Sequence, residues 1–167
     1  HGIAPLMVEY IDRMTMMAIT AQSGLELGVS AAAQEETQAY LLIVVEGRTQ
    51  TRVDEDMESA GELLGEHGAI DIYVLQPKAA AALVEAREKS FWAAKHAQAS
   101  EVVDIVIPRA SLPQYLATVA LIAGRHETVI PGCGHAGDGN VHLAVFEHDE
   151  QKHEALMREL FVAGRDL

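Results

Sequence analysis

The sequence predicts an α+β fold. Short apolar runs of strand length are separated by single amphipathic helices along all 167 residues, and no Gly-x-Gly-x-x-Gly turn follows the first strand, which leaves the dinucleotide-binding version of a doubly wound parallel sheet without support. The same alternation suits two split βαβ units with antiparallel sheets and helices on one face. A hydrophobic share of 49% with only 5% aromatic residues is enough for one core built from Ala, Val, Leu and Ile.

Leu6 to Ile11 reads as the first strand, and Asp12 caps a helix that runs to about Ala21, where Met14, Met16 and Met17 are core candidates. Gly24 to Gln38 reads as an irregular connection with a short helical piece around Ala31 to Ala33. Tyr40 to Glu46 is a continuous apolar run ended by Gly47, which predicts a central strand buried on both faces. Thr51 with Asp54 forms a capping-box pattern, and Val53, Met57, Ala60 and Leu64 carry a helical stripe toward Gly65. Ile70 to Leu75 is the next predicted strand. Pro77 then introduces a long Ala-rich helix from about Lys78 to Ala97.

Val102 to Ile107 is a strand stopped by Pro108. Ser111 with Gln114 makes a second capping-box pattern ahead of a helix whose inner face is Leu112, Tyr115, Leu116, Val119 and Ile122, closed by Gly124. Glu127 to Ile130 and Asn140 to Phe146 are two strands joined by a glycine loop. A last helix covers about Glu150 to Val162.

With 12 Lys+Arg against 25 Asp+Glu the formal charge is -13, which repels phosphate backbones, so nucleic acid is not an expected partner. The single cysteine, Cys133, permits no internal disulfide and points to a reducing, cytoplasmic setting. It reads as a small buried apolar residue rather than a nucleophile, because no nearby base at nucleophile spacing stands out. No apolar run reaches the roughly 18 to 20 residues needed to span a bilayer, and no signal-peptide layout opens the chain. It starts at His1 without Met, as a piece of a longer protein would.

The chemistry is concentrated in Gly134-His135-Ala136-Gly137-Asp138-Gly139-Asn140-Val141-His142. Glycines at 134, 137 and 139 let the backbone double back and bring His135 and His142 together, and two neutral imidazoles so placed can hold a divalent metal. The competing reading is a hairpin turn flanked by packed histidines. Two histidines do not complete a coordination shell, and Asp138, Glu147 and His148 are the acidic or imidazole groups near them in sequence.

Read with its flanks, the loop resembles the C-terminal cap domain of FAD-linked 2-hydroxy-acid oxidases and dehydrogenases, the group of the glycolate oxidase FAD-binding subunit and D-lactate dehydrogenases. Leu6 to Met17, YLLIVVEG at 40–47, FWAAK at 91–95, VDIVIPRASLP at 103–113 and GHAGDGNVH at 134–142 occur in the family's order. The resemblance implies that residues 1–167 are a ferredoxin-like antiparallel cap, as one sheet or two subdomains. The N-terminal FAD-binding domain and an extreme C-terminal segment would lie outside this chain.

The resemblance further implies a divalent metal, zinc foremost, on His135 and His142, with the third ligand and the general base in that later segment. FAD would be the redox cofactor, met here by Gly139 and Asn140. Lys95 stands where relatives usually carry an Arg that grips the substrate carboxylate, and it lacks the planar fork of that Arg. Asp104 and Pro108 match the family's Asp-x-x-x-Pro, Asp104 as a group for nearby backbone. Only the eight residues 96–103 separate Lys95 from Asp104, fewer than in relatives.

Ala144, and the lack of a basic residue near Val102, favour a small monocarboxylic 2-hydroxy acid of glycolate or D-lactate type. An iron-sulfur electron-transfer subunit and a peripheral position at the inner face of the membrane are the partners implied. A non-catalytic ligand- or metal-binding regulatory domain is the competing expectation, and a self-contained zinc hydrolase a weaker one.

Overall fold

The computed structural model describes residues 2–167 as one five-stranded sheet in the order β2-β1-β4-β5-β3, with every neighbouring pair antiparallel. The strands are β1 (Met7–Asp12), β2 (Ala39–Val44), β3 (Glu101–Val106), β4 (Gly132–His135) and β5 (Asn140–Val145). The helices are α1 (Arg13–Ser23), α2 (Ala31–Glu36), α3 (Gln50–Glu66), α4 (Pro77–Glu88), α5 (Ser90–His96), α6 (Leu112–Arg125) and α7 (Glu150–Arg165). The expected α+β class and antiparallel sheet are therefore present.

Side-chain alternation across the register decides where the helices go. Ile11 pairs with Cys133, Cys133 with His142 and His142 with Asp104, so these four share one face of the sheet. Gly132 pairs with Leu143 and Leu143 with Val103, so Val103, Ile105, Val141, Leu143 and Val145 share the other. On the first face Ile11 and Cys133 pack with Met16, Ile19 and Leu83 from α1 and α4. On the second face the valine and leucine set packs with Tyr115, Val119 and Ile122 of α6 and Leu156 and Leu160 of α7. Each half of the sheet thus carries its helices on one face, and the two halves use opposite faces. The first face of β3 and β5 is left beside α4 and α5 without a helix lying over it.

Local chemistry explains most of the boundaries. Asp12 caps α1 by accepting from the Thr15 N–H at 2.6 Å, and its other oxygen takes the Gly132 N–H at 2.5 Å, so one carboxylate also ties β1 to the start of β4. Burial raises the pKa of Asp12, and these amide donors pull against that rise. Gly24 closes α1 in the left-handed conformation at φ 66°. Among the described residues no helix is long and apolar enough to cross a membrane.

Several elements depart from the sequence expectation. Tyr40 to Glu46 supplies β2, but β2 is an edge strand whose residues are exposed or half-buried rather than a central one; an apolar run does not by itself distinguish a central strand from an edge. Ile70 to Leu75 forms no strand. Asp71 accepts from its neighbour Ile72 N–H at 2.8 Å and from the Tyr73 hydroxyl at 2.7 Å, local bonds that compete with a ladder, and Ile70, Ile72 and Val74 stay exposed.

The Ala-rich helix breaks at Lys89 into α4 and α5, and α5 is closed by Gln98 at φ 65°. Thr49, not Thr51, caps α3. Ser111 makes no side-chain cap bond, because a 3-10 turn over Arg109–Ser111 leads directly into α6.

The fourth strand is Gly132–His135, not Glu127 to Ile130. Glycine disfavours strands in isolation, but here it is required by proximity: a Cβ on Gly134 would run into the Asn140 carbonyl oxygen and sit 2.8 Å from Val141 Cα, and one on Gly132 would sit 2.9 Å from the His142 oxygen. Gly134→Ala should therefore lower unfolding stability by about 1–3 kcal/mol. Gly61→Ala, in α3 where an added Cβ meets nothing within 4 Å, should raise it by about 0.5–1 kcal/mol; urea unfolding followed by circular dichroism checks both.

Candidate functional site

The β4–β5 hairpin delivers the two histidines. His135 ends β4 and His142 is the third residue of β5, joined by a four-residue turn at 136–139. Gly139 sits at φ 86°, and a Cβ there would strike the Ile107 carbonyl oxygen, so its glycine is demanded by packing of the turn against the end of β3. The Ile107 N–H in turn donates to the Gly139 oxygen at 3.1 Å.

Both rings lie on the same face of the sheet, with centroids 5.1 Å apart and planes at 90°. Each is held through Nδ1. His135 Nδ1–H donates to Glu9 Oε1 at 2.5 Å, and His142 Nδ1–H donates to Asp104 Oδ1 across the β3–β5 ladder. An ionised carboxylate can only accept, so Nδ1 is the donor in each ring, and in the neutral imidazole the Nε2 lone pair is left for another partner. Carboxylates that orient imidazoles in this way are the usual companions of metal-ligating histidines.

Glu9 was not singled out in the sequence. It is the third residue of β1, buried at 1% exposure, and its position opposite His135 is set by the β1–β4 register. The available signal was its type: a glutamate in a strand that is otherwise apolar on that face needs a partner. That partner is Arg87 from α4, whose Nε lies 2.5 Å from Glu9 Oε2.

A cleft of about 240 Å³ opens on the uncovered face, between α4–α5 and β3–β5. Arg87, Ser90, Phe91 and Ala94 form its helical wall, and Val102, Asp104, His142 and Ala144 its sheet wall. Val102 and Ala144 are direct neighbours across the β3–β5 ladder, so they stand side by side in the cleft. His135 stands at the hairpin end of the same face, next to His142.

Lys95 is exposed and does not line the cleft; its Nζ lies 5.9 Å from the ring centroid of Phe91, which does. Asn140 is half-buried, and its Oδ1 is sealed from solvent with no hydrogen-bond partner among the described residues. Among the described residues no group of three or more His, Cys, Asp or Glu is arranged to hold a metal.

A family model described as FAD linked oxidases, C-terminal domain, matches residues 1–166. The chain is 44% identical over 166 residues to an uncharacterized FAD-linked oxidoreductase of Mycobacterium tuberculosis, covering 99% of this chain and 36% of that protein. It is 26% identical to D-lactate dehydrogenase of Anaerostipes hadrus, over 92% of this chain and 33% of the relative. It is 30% identical to glycolate oxidase subunit GlcD of Bacillus subtilis, over 84% of this chain and 29% of the relative. The chain therefore spans about a third of the length of the curated relatives it matches.

Cys133 sits on the cleft floor but is buried, with Ser90 Oγ 3.5 Å from its sulfur. Burial pushes its thiol pKa up, and the nearby Arg87 charge only partly opposes this. The thiol should accordingly resist iodoacetamide at pH 8 in the native protein and react when urea unfolds it, as peptide mass mapping would show.

Proposed function

This chain belongs to the FAD-linked oxidase C-terminal domain family, and from that premise we propose that it is the cap of a longer flavin-dependent oxidoreductase that oxidises a small 2-hydroxy acid, of glycolate or D-lactate type, to the 2-oxo acid. The observation that carries the reading is the pair of perpendicular imidazoles, His135 and His142, each with Nδ1 committed to its own carboxylate. That arrangement fits a divalent metal, zinc foremost, with His135 and His142 as two ligands and the third ligand and general base contributed from outside this chain. When bound, such a metal supplies Lewis acidity toward the substrate's hydroxyl and carboxylate oxygens, and FAD supplies the acceptor for the hydride from C2.

The residues of this chain then have defined tasks. Glu9 and Asp104 hold the two rings in the Nδ1–H tautomer and aim them. Phe91, Ala94, Val102 and Ala144 line a cleft of about 240 Å³ that suits a two- or three-carbon acid and offers no polar group for a second carboxylate at Val102 or Ala144. Lys95, beside Phe91, supplies positive charge near the cleft. Gly139 and Asn140 form the part of the hairpin assigned to the flavin.

Two relatives, from Bacillus subtilis and Escherichia coli, bear the name glycolate oxidase subunit. Those names fit a multi-subunit assembly, and with the resemblance described above the proposal includes an iron-sulfur electron-transfer subunit as partner and a cytoplasmic location, peripheral at the inner membrane face.

The full-length protein, purified natively, should be yellow and hold about one divalent metal per chain, with turnover of glycolate or D-lactate. His135→Ala and His142→Ala should each abolish metal retention and turnover, while Glu9→Gln and Asp104→Asn should weaken metal affinity about 10- to 100-fold. Metal analysis, flavin absorbance and dye-reduction assays read these out. Colourless, metal-free protein indifferent to all four substitutions would move the function to a ligand-binding regulatory domain.

A further inference from the structure

We propose that the two imidazoles are held unequally: Glu9, backed by Arg87, fixes His135, while Asp104 holds His142 loosely enough for that ring to turn as a small acid enters the cleft. This rests on the reading of the pair as metal ligands and assigns a different task to each member. The difference lies in the carboxylates behind the rings. Glu9 has its side chain 2% exposed, and Asp104 has its side chain 67% exposed.

Each oxygen of Glu9 has its own partner. Oε1 accepts from His135 Nδ1–H at 2.5 Å, and Oε2 forms an ion pair with Arg87, 2.5 Å from Nε, on a side chain itself 10% exposed. The strand that carries Glu9, β1, lies between β2 and β4, so a ladder ties its backbone on each side. A carboxylate drawn to an imidazole at one oxygen and to a cation at the other, and closed off from water, keeps a single orientation. Arg87 is thus a positioning residue that acts on His135 through Glu9.

Asp104 has neither support. It stands on the edge strand β3, which has one ladder, to β5. His142 is its side-chain partner, and among the described residues no Lys or Arg pairs with it. Water reaches this carboxylate and competes for the ring N–H, and dissolved salt screens the charge that remains. His142 and Asp104 line the cleft, whereas His135 and Glu9 are not part of its lining. The less firmly held ring is therefore the one that an entering acid meets, and the pair keeps one fixed member while the other adjusts.

The test uses full-length, chelator-treated protein labelled with nitrogen-15 at histidine, each ring assigned by the signal lost in His135→Gln or His142→Gln. Ring-nitrogen shifts report the tautomer. In wild type, His135 should hold the Nδ1–H form at both about 0.1 M and about 1 M salt, while His142 should show a mixture of the two tautomers that grows with salt. Glu9→Gln and Arg87→Met should turn His135 into a mixture, and Arg87→Lys, which keeps the cation, should restore the single form. Asp104→Asn should alter His142 less than Glu9→Gln alters His135. In zinc titrations of the same proteins, Glu9→Gln should lose about tenfold more affinity than Asp104→Asn.

Two wild-type rings with the same tautomer content and the same salt response would overturn the proposal. So would a loss of zinc affinity in Asp104→Asn as large as that in Glu9→Gln, or a His135 signal unmoved in Arg87→Met. The wild-type comparison carries the test if the Glu9 or Arg87 variants do not fold. If wild type binds no zinc yet its rings differ as stated, the unequal support stands while the metal reading falls. Zinc bound by two equally held rings has the opposite meaning: the metal reading stands and the unequal support is overturned.

Discussion

The buried carboxylate of Glu9 is the interaction on which the site depends. At 1% exposure it sits inside a strand, where an ionised carboxylate is strongly disfavoured without partners. Two partners come from distant parts of the chain, His135 from the β4–β5 hairpin and Arg87 from α4. Removing one partner of a buried ion pair costs about 3–5 kcal/mol, so the fold has a strong reason to keep α4, β1 and the hairpin in register. The same contacts determine which nitrogen of His135 is left open. Stability and site geometry are thus coupled through one side chain.

The sheet explains why a cleft exists where it does. Helices α6 and α7 bury the second face of β3 and β5, and α1 and α4 bury the first face of β1 and β4. Because the two halves are covered on opposite faces, the first face of β3 and β5 is left beside the end of α4 and the start of α5. His142, Asp104, Val102 and Ala144 point onto that uncovered strip. The break at Lys89 turns the predicted continuous helix into two pieces, with Arg87 on one and Ser90, Phe91 and Ala94 on the other, all on the cleft wall.

Much of the local structure was legible in the sequence. The Asp12 cap, the β3 strand ended by Pro108, the inner face of α6 and the final helix follow from periodicity and capping residues, which act over a few positions. The reading failed where pairing overrides local preference. Gly132–His135 has poor strand propensity and becomes a strand because two neighbours approach too closely for any side chain at Gly134. Ile70 to Leu75 has good strand propensity and finds no ladder. Tyr40 to Glu46 is apolar enough for the centre of a sheet and sits at its edge.

Composition and acidic charge are sums over the chain, and the pair of histidines across a glycine turn and the α+β alternation are properties of residues close together in it, so all four are read without the fold. The sequence also carried the family resemblance. Only the tertiary structure decided that Glu9 and Asp104 are the carboxylates behind the two imidazoles, separated from them by 126 and 38 residues. It likewise placed Arg87 in the cleft and Lys95 outside it. Contacts of that range depend on strand register and on the angle at which α4 and α5 cross the sheet, and neither leaves a periodic trace in the sequence.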